Sequence, residues 1–326
     1  MSPNASAPAL GATPPTTSTA KLALLIVACA VLAAAPFILY PVFLMNALLF
    51  MLFACAFNLM LGFGGLLSFG HAAFFGMAAY IAGHSAKVWG LPFEVSVLLG
   101  TAGGAALGLV FGLLAIRRQG IYFAMITLAL SQMVYFFALQ APFTHGEDGI
   151  QSIPRGLLFG LIDLENDRVL YAVIAIIAVG GMLIIDRVVH SPFGQVLKAI
   201  RDNEPRATSL GYDIDRHKLI AFVLSAALSG MAGATKVFVF RIATLSDITW
   251  HLSGEVVLMA LLGGVATVWG PALGALIVIV MQHYLASFGA WVTIIQGITF
   301  MACVLLFREG VAGVFIKVVN RVRGAS

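Results

Sequence analysis

SPFGQVLKAIRDNEPRATSLGYDIDRHK, residues 191–218, is the most highly charged stretch of a chain that is otherwise apolar. It carries nine charged side chains, whereas the whole chain of 326 residues has 18 Lys and Arg and 14 Asp and Glu. At the centre of a bilayer each charge would cost about 3 kcal/mol, and the set would cost about 20–30 kcal/mol. The stretch is therefore expected to lie in water.

The composition around this stretch indicates a membrane protein. The chain is 61% hydrophobic and 10% charged, with a mean hydropathy of +1.02, whereas a soluble domain is about 25% charged. These values predict an all-α polytopic membrane protein. The net charge of +4 is small and gives no indication of a nucleic-acid partner. Cys29, Cys55 and Cys303 lie in apolar runs without metal-ligand spacing and are expected to be core residues.

The apolar runs predict about ten transmembrane helices, within a range of eight to ten because some runs are short or rich in glycine. The predicted spans are residues 22–43, 44–61, 62–80, 93–116, 121–142, 169–189, 219–240, 253–268, 272–286 and 292–307. The predicted domains are a disordered tail at 1–20, a transmembrane domain at 21–308 with a loop at 190–218, and a C-terminal tail at 309–326.

The run 62–80, GFGGLLSFGHAAFFGMAAY, is apolar but interrupted by glycines. Glycines disfavour a helix interior, so they predict a close helix contact, an unwound turn, or both. His71 in this run either bonds a backbone carbonyl in the core or faces a water-filled path. Gly70-His71 and Gly270-Pro271 each follow a Gly-Gly pair, a weak repeat that suggests two related halves.

Two other spans have faces of small or polar residues. Gly104, Gly108 and Gly112 form a GxxxGxxxG face that predicts close helix packing. Thr127 and Ser131 are one turn apart and share a face. That face bonds either another helix or a solute, and both alternatives stay open.

The distribution of positive charge predicts the orientation. Ten crossings place both termini and the charged stretch on one side of the membrane. That side then contains Lys21, Arg117, Arg118, Arg187, Lys198, Arg201, Arg206, Arg216, Lys218, Arg308, Lys317, Arg321 and Arg323, which are most of the 18 Lys and Arg. The positive-inside rule makes this side cytoplasmic. Lys236, close to a span end, is expected to extend to the interface.

Within the charged stretch the sequence predicts two short helices. Ser191 is a favourable N-cap and Pro192 a favourable first residue. An apolar stripe follows at helical spacing: Phe193, Val196, Leu197 and Ile200. The first helix should end near Asn203, before a proline, and a second at 206–210 should end at Gly211. The stripe fits either lipid headgroups or a groove on a cytoplasmic partner.

Residues 191–213 resemble the cytoplasmic loop of the membrane-spanning permease subunits of bacterial branched-chain amino acid ABC importers. Four further stretches resemble motifs of that family, in the family's order: GFGGLLSFGHAAFFGMAAY, RRQGIYFAMITLALSQ, THGEDGIQSIP and GEVVLMALLGGVATVWGPALGA. Together they cover most of residues 58–308. The chain departs from the family pattern at His145, where a second glycine is expected.

The resemblance implies a multi-pass protein of the bacterial inner membrane, whose termini the charge distribution already places in the cytoplasm. It also implies a second related permease subunit, two cytoplasmic ATP-binding subunits and a periplasmic solute-binding protein as partners, besides membrane lipid. In that family the loop corresponds to a coupling helix that docks on the ATPase. The residues expected to couple are Phe193, Gly194, Ile200, Arg201, Asp202, Glu204 and Gly211.

The sequence contains no G-x-x-x-x-G-K-[ST], so we expect a transport subunit that is not an enzyme, has no cofactor of its own, and relies on ATP bound by its partners. The expected solutes are branched-chain or other hydrophobic amino acids; the alternatives are urea, short amides or aromatic acids. Candidate path residues are Ser68, His71, Thr127, Ser131 and Glu255.

Two other classes of function are less favoured by the sequence. A proton-coupled secondary transporter needs carboxylates within the membrane, and Glu255 is the only candidate. A membrane-embedded enzyme needs clustered His or carboxylates, and the seven His are scattered.

Overall fold

The computed structural model describes residues 35–36, 39–265, 267–286, 289, 291, 294–295, 297–298 and 301. The tails predicted at 1–20 and 309–326 lie outside these residues, as do most of the spans predicted at 22–43 and 292–307. The chain divides after Tyr40, and every element named below belongs to the unit that begins at Pro41.

This unit is built from helices joined by short connections. The helices are α1 (Pro41–Asn58), α2 (His71–Lys87), α3 (Phe93–Ala115), α4 (Ile121–Gln140), α5 (Asp167–His190), α6 (Pro192–Asp202), α7 (Glu204–Ser209), α8 (Ile214–Phe240), α9 (Trp250–Gly263) and α10 (Gly270–Leu285). A π-helical segment, Leu59–Phe63, extends α1.

Five of the described helices are long and apolar enough to cross a membrane: α1 with its π segment, α3, α4, α5 and α8. The apolar helices α9 and α10 have 14 and 16 residues. At 1.5 Å per residue they are about 21 and 24 Å long, short of the ~30 Å hydrocarbon core. The all-α polytopic class is confirmed, whereas the count of ten crossings stays a prediction.

Helices α1, α2 and α8 form the centre of the bundle. In the most apolar 18-residue stretch of α1, and in that of α8, 72% of the residues are buried. The corresponding shares are 33% in α3, 28% in α4 and 39% in α5. Nearly all side chains of α2 are buried as well. The outer helices therefore present apolar side chains that can face lipid or another subunit.

The glycine face of α3 is closely packed, as the sequence predicts, and its partner is α8. A Cβ atom at Gly104 would lie 3.0 Å from the Cα of Gly230, and one at Gly108 would lie 2.3 Å from the Cβ of Ala226. Small residues thus let the two backbones approach closely.

A long connection at residues 141–166 covers the end of the bundle opposite the charged stretch. Two antiparallel pairs of short strands lie in or next to it: β1 (Ile150–Gln151) with β4 (Ile242–Ala243), and β2 (Leu157–Leu158) with β3 (Ile162–Asp163). His145 has φ of 58°, a left-handed conformation that a residue with a Cβ rarely adopts. This explains why a glycine is expected at that position.

Arg155 fixes this connection to the end of α8. Its guanidinium is buried, donates to the carbonyls of Phe238 (3.0 Å) and Val239 (3.2 Å), and pairs with Asp167 at 2.6 Å. The last carbonyls of a helix have no partner within it, and a cation there is favourable. Arg155 therefore caps α8 while holding the loop.

Three predicted helix boundaries need correction. In the predicted span 62–80, residues 62–63 end the π segment and the next helix begins only at His71, and the predicted span 253–268 ends at Gly263. The second short helix, predicted at 206–210, begins at Glu204. It begins there because the side chain of Asn203 accepts from the backbone N–H of Arg206 at 3.0 Å and caps the new helix.

Candidate functional site

Residues 64–70 interrupt the helical path between the π segment and α2. Irregular backbone at membrane depth must find hydrogen-bond partners within the protein. The Thr127 hydroxyl accepts from the N–H of Phe69 at 3.1 Å, and the Ser253 hydroxyl donates to its carbonyl at 2.8 Å. Ser68 accepts from the N–H of Gly70 at 3.1 Å. Hydroxyls from three parts of the chain thus hold this first break, residues 64–70.

Ser253 is the side chain that joins α9 to the first break. Besides bonding Phe69, it accepts from the N–H of Ala72 at 3.1 Å, one of the N–H groups that a helix start leaves unpaired. Sequence reasoning did not identify Ser253, because a serine in an apolar run resembles a small packing residue. No local signal separates the two roles.

We expect Ser253→Ala to lower the stability of the protein by about 1–3 kcal/mol, because it leaves the Phe69 carbonyl and the Ala72 N–H buried without a partner. The control is Thr101→Ala, whose hydroxyl bonds the Val97 carbonyl of its own helix at 2.8 Å. Thermal unfolding of the purified protein in detergent compares the two. Equal midpoints for both variants would contradict the assigned role of Ser253.

His71 connects α2 through Ser225 to α1. Its Nε2 lies 2.8 Å from the Ser225 hydroxyl, which donates to the Ala56 carbonyl at 2.5 Å. The Ser225 hydroxyl already donates its proton to the Ala56 carbonyl, so Nε2 of His71 donates to the Ser225 oxygen. The ring is fully buried and meets three phenylalanine rings. In this conformation His71 has a structural role, while its contact with a solute stays a prediction.

A second break, described at residues 264–265 and 267–269, separates α9 from α10 and resembles the first. Gly264 has φ of 112° at the end of α9. The Thr267 hydroxyl accepts from the N–H of Gly270 at 3.0 Å, as Ser68 does for Gly70. In both breaks a glycine pair precedes a hydroxyl that caps the start of the next helix. The weak repeat in the sequence thus has a structural counterpart.

The end of α1 packs against this second break. The side-chain amide of Asn58 donates to the Thr267 carbonyl at 2.9 Å, and the Cys55 thiol lies 3.7 Å from the Val268 carbonyl. A Cβ atom at Gly62 would lie 2.2 Å from the Val265 carbonyl oxygen. Asn58 was missed, although an amide in an apolar span is itself a signal of a polar contact.

Of the remaining path candidates, Ser131 lies on α4 beside Thr127, whereas Glu255 lies on α9 close to Gln282 of α10. Ser131 is buried one turn beyond Thr127, and its hydroxyl has no hydrogen-bond partner within the described ranges. Glu255 is partly exposed on α9, two residues beyond Ser253. Thr127 and Ser68 bond backbone of the break, which favours the helix-bonding alternative for Thr127. Solute contact by any of these residues stays a prediction.

The charged stretch forms α6 and α7 with the expected caps. The Ser191 hydroxyl accepts from the N–H of Gly194 at 3.3 Å, and Pro192 is the first residue of α6. Gly194 has no room for a side chain, because a Cβ atom would lie 2.4 Å from the Val188 carbonyl oxygen. Gly211, with φ of 86°, follows the end of α7.

The apolar stripe of α6 faces the protein itself. Leu197 and Ile200 are 0% and 1% exposed, and Phe193 stacks on His217 with ring centres 5.6 Å apart. Lipid or a partner would therefore meet the opposite face of α6, which exposes Gln195 and Ala199. The stripe drives packing within the chain.

Lys218 of the stretch is buried, whereas Arg201 bonds the end of the bundle while its side chain stays partly exposed. Lys218 is 2% exposed and bonds Glu204 at 2.7 Å. Arg201 donates to the Gly62 carbonyl at 2.5 Å and to Asp202 at 2.8 and 3.1 Å. The expectation that the whole stretch lies in water is wrong for Lys218, whose charge is neutralised by Glu204.

A cleft of about 470 Å³ opens between the charged helices and the first break. It is lined by Gln119, Gly120, residues 64–66, residues 200–205 and Lys218. The α3–α4 connection and the charged stretch therefore lie at the same end of the bundle, in agreement with the predicted grouping of Arg117 and Arg118 with that stretch.

The expected position of Lys236 needs correction. Its amine lies 2.5 Å from the Asp247 carboxylate and 5.5–5.7 Å from the ring centres of Phe50, Phe75 and Phe240. The side chain is 18% exposed. Lys236 thus forms an internal ion pair, because a carboxylate from a distant turn is within its reach.

Long apolar helices, two interrupted helix pairs and a charged helical segment at one end together define a polytopic membrane protein. A family model described as "Branched-chain amino acid transport system / permease component" matches residues 39–304. The chain belongs to this family of permease components. No solved structure matches the chain.

Curated relatives agree with this family. The chain is 29% identical to the "High-affinity branched-chain amino acid transport system permease protein LivM" of Escherichia coli, over 86% of this chain and 72% of that protein. It is 28% identical to the protein of the same name in Salmonella typhimurium, over 77% of this chain and 64% of that protein. A "Probable branched-chain amino acid transport permease protein LivH" of Methanocaldococcus jannaschii is 27% identical over 41% of this chain and 45% of its own length.

Proposed function

We propose that this chain is the permease subunit of an ATP-driven importer that carries branched-chain or other hydrophobic amino acids across the bacterial inner membrane. The observation that carries the proposal is the match to a branched-chain amino acid permease family over residues 39–304. The names of the two bacterial relatives support the same solute class. Both termini would lie in the cytoplasm, as the distribution of Lys and Arg favours.

The energy source in this proposal is a separate pair of ATP-binding subunits. The sequence lacks the phosphate-binding loop that such a subunit needs, which supports a role in transport alone. A second related permease would complete the membrane part, and a periplasmic solute-binding protein would deliver the solute. ATP would be bound by the partners, and this chain would need no cofactor.

The proposed coupling element is α6 with α7. It comprises Phe193, Gly194, Ile200, Arg201, Asp202, Glu204 and Gly211. Docking on an ATPase would use the exposed face of these helices, because the apolar stripe is covered by the chain itself. Closure of the ATPase pair would then move the helices as rigid bodies and switch the permeases between two states.

The proposed path runs beside the first break, between this chain and its partner permease. Ser68, His71, Thr127 and Ser131 are 0% exposed, so solute contact requires a conformation in which the first break opens. Hydroxyl and imidazole groups can bind a zwitterion without a strong fixed charge, and Glu255 is the one acidic candidate.

The test is reconstitution of the complete complex in proteoliposomes, with uptake of leucine, urea and benzoate measured side by side. We expect leucine uptake that requires ATP and the solute-binding protein and that survives collapse of the proton gradient. ATP-dependent uptake of urea or benzoate in place of leucine would refute the solute class. Uptake driven by the proton gradient without ATP would refute the importer.

A further inference from the structure

Arg201 joins the charged helices to the interrupted part of α1. It lies in the last turn of α6, and its Nη1 donates to the Gly62 carbonyl at 2.5 Å. Gly62 belongs to the π segment, whose last carbonyls have no partner within the helix. A guanidinium at this negative helix end is favourable both as a donor and as a charge.

Gly65 provides the room that this contact needs. Its φ is 69°, and a Cβ atom there would lie 2.7 Å from the Cγ of Arg201. The aliphatic part of the arginine therefore crosses the glycine backbone in close contact. Asp202 holds the other edge of the guanidinium through Nε and Nη2. The π segment thus provides the acceptor for Arg201, and Gly65 of the first break leaves room for its side chain.

The carbonyl that Arg201 binds lies on the turn that meets the second break. Gly62 contacts the Val265 carbonyl, and Asn58, one turn earlier, bonds the Thr267 carbonyl. A displacement of α6 thus reaches both breaks through one charged hydrogen bond and the end of α1. The neighbouring ion pair, Glu204 with Lys218, joins α7 to α8 instead.

We propose that Arg201 is a positioning residue that transmits movement of α6 to the two helix breaks through the Gly62 carbonyl. This inference rests on the proposed function, since α6 moves only if an ATPase docks there. Within the coupling element, the guanidinium of Arg201 bonds Gly62 and Asp202 of its own chain and is not assigned to the docking face, so removing it should leave the ATPases assembled and active. It should instead disconnect ATP hydrolysis from the opening of the breaks.

The first experiment compares Arg201→Ala with Arg216→Ala in the reconstituted complex. Arg216 is exposed in the same cytoplasmic stretch, so the control removes the same charge. For Arg201→Ala we expect ATP hydrolysis to continue, while its stimulation by the solute-binding protein and uptake fall about tenfold, the scale of losing a hydrogen bond to a charged group. Arg216→Ala should behave like the unaltered chain.

The second experiment replaces the lost bond with a reversible covalent one. A Cβ atom at Gly65 would lie 3.5 Å from the Cβ of Arg201, within the range of about 3.5–4.5 Å that a disulfide spans. Gly65→Cys with Arg201→Cys is made in a chain whose three native cysteines are alanine. We expect uptake to be low when the pair is reduced, to recover on oxidation, and to fall again with dithiothreitol.

Gly65→Cys alone measures the strain of a side chain at positive φ, and thiol labelling follows the bridge. The inference is overturned if Arg201→Ala stays fully coupled, if the bridge fails to form, or if the oxidised pair transports no better than the reduced pair. Failure of the proposed function looks different, because the unaltered complex then shows no ATP-dependent uptake.

Discussion

Replacement of Gly233 by alanine is expected to lower the stability of the protein by about 3 kcal/mol or more. A Cβ atom at Gly233 would lie 2.0 Å from the carbonyl oxygen and 2.6 Å from the carbonyl carbon of Phe75. Both are backbone atoms of α2, so no flexible side chain can move aside. The added methyl group can be accommodated only if α2 and α8 separate along their central contact.

The matched control is Gly180→Ala on α5. A Cβ atom at Gly180 meets nothing within 4 Å, and alanine is favoured over glycine in a helix by about 1 kcal/mol. This variant should keep or raise the unfolding midpoint, whereas Gly233→Ala should lower it strongly. Fluorescence-detected size exclusion after heating in detergent measures both. Equal midpoints would show that the close contact of α2 with α8 is wrong.

Separation of α2 from α8 would also break the bond of His71 to Ser225, at 2.8 Å. Since Ser225 in turn bonds the Ala56 carbonyl, the loss would extend to α1. Gly233→Ala should therefore impair uptake as well as stability. Second-site replacement of Phe75 should not rescue it, because the contact is with the backbone of Phe75.

The sequence was informative where a local pattern has one physical cause. Ser191 before Pro192 predicts a helix start in any surroundings, and the observed cap confirms it. The face of Gly104 and Gly108 likewise predicts a close helix approach, because glycine leaves space that another backbone fills. These features depend on residues within a few positions of each other.

Contacts between distant segments could not be predicted in the same way. Ser253 bonds Phe69, and Arg201 bonds Gly62, across long stretches of chain. The local sequence around a serine in an apolar helix, or around an arginine at a helix end, does not depend on whether that side chain has a distant partner. Likewise, the apolar stripe of α6 indicated that one face would be covered but could not indicate by what.

The ends of α9 and α10 show a second reason why the sequence alone could not predict the structure. Residues 253–286 form an almost continuous apolar run, so hydrophobicity predicted two short spans there, at 253–268 and 272–286. The observed α9 ends at Gly263, where Gly264 leaves the helical conformation and the end of α1 packs against the break. Tertiary contact sets that boundary, and the hydropathy of the run does not change across it.

Removal of Lys236 alone is expected to destabilise the protein by about 3–5 kcal/mol, because it leaves a buried carboxylate without a counter-charge. Asp247 is 9% exposed at its side chain and lies 2.5 Å from the Lys236 amine. The three phenylalanine rings around that amine add cation–π attraction. They cannot stabilise the carboxylate once the lysine is gone.

A double-mutant cycle separates the ion pair from the loss of packing. Lys236→Met with Asp247→Ala should recover most of the stability lost in Lys236→Met alone, since a buried ion pair can often be replaced by apolar groups at little cost. The comparison pair is Arg241 with Glu165, which is 43% and 52% exposed and should contribute only about 0–1 kcal/mol. Chemical unfolding in detergent gives both coupling free energies. A Lys236–Asp247 coupling as small as that of the exposed pair would mean that water reaches Asp247, and that this end of α8 opens in the resting protein.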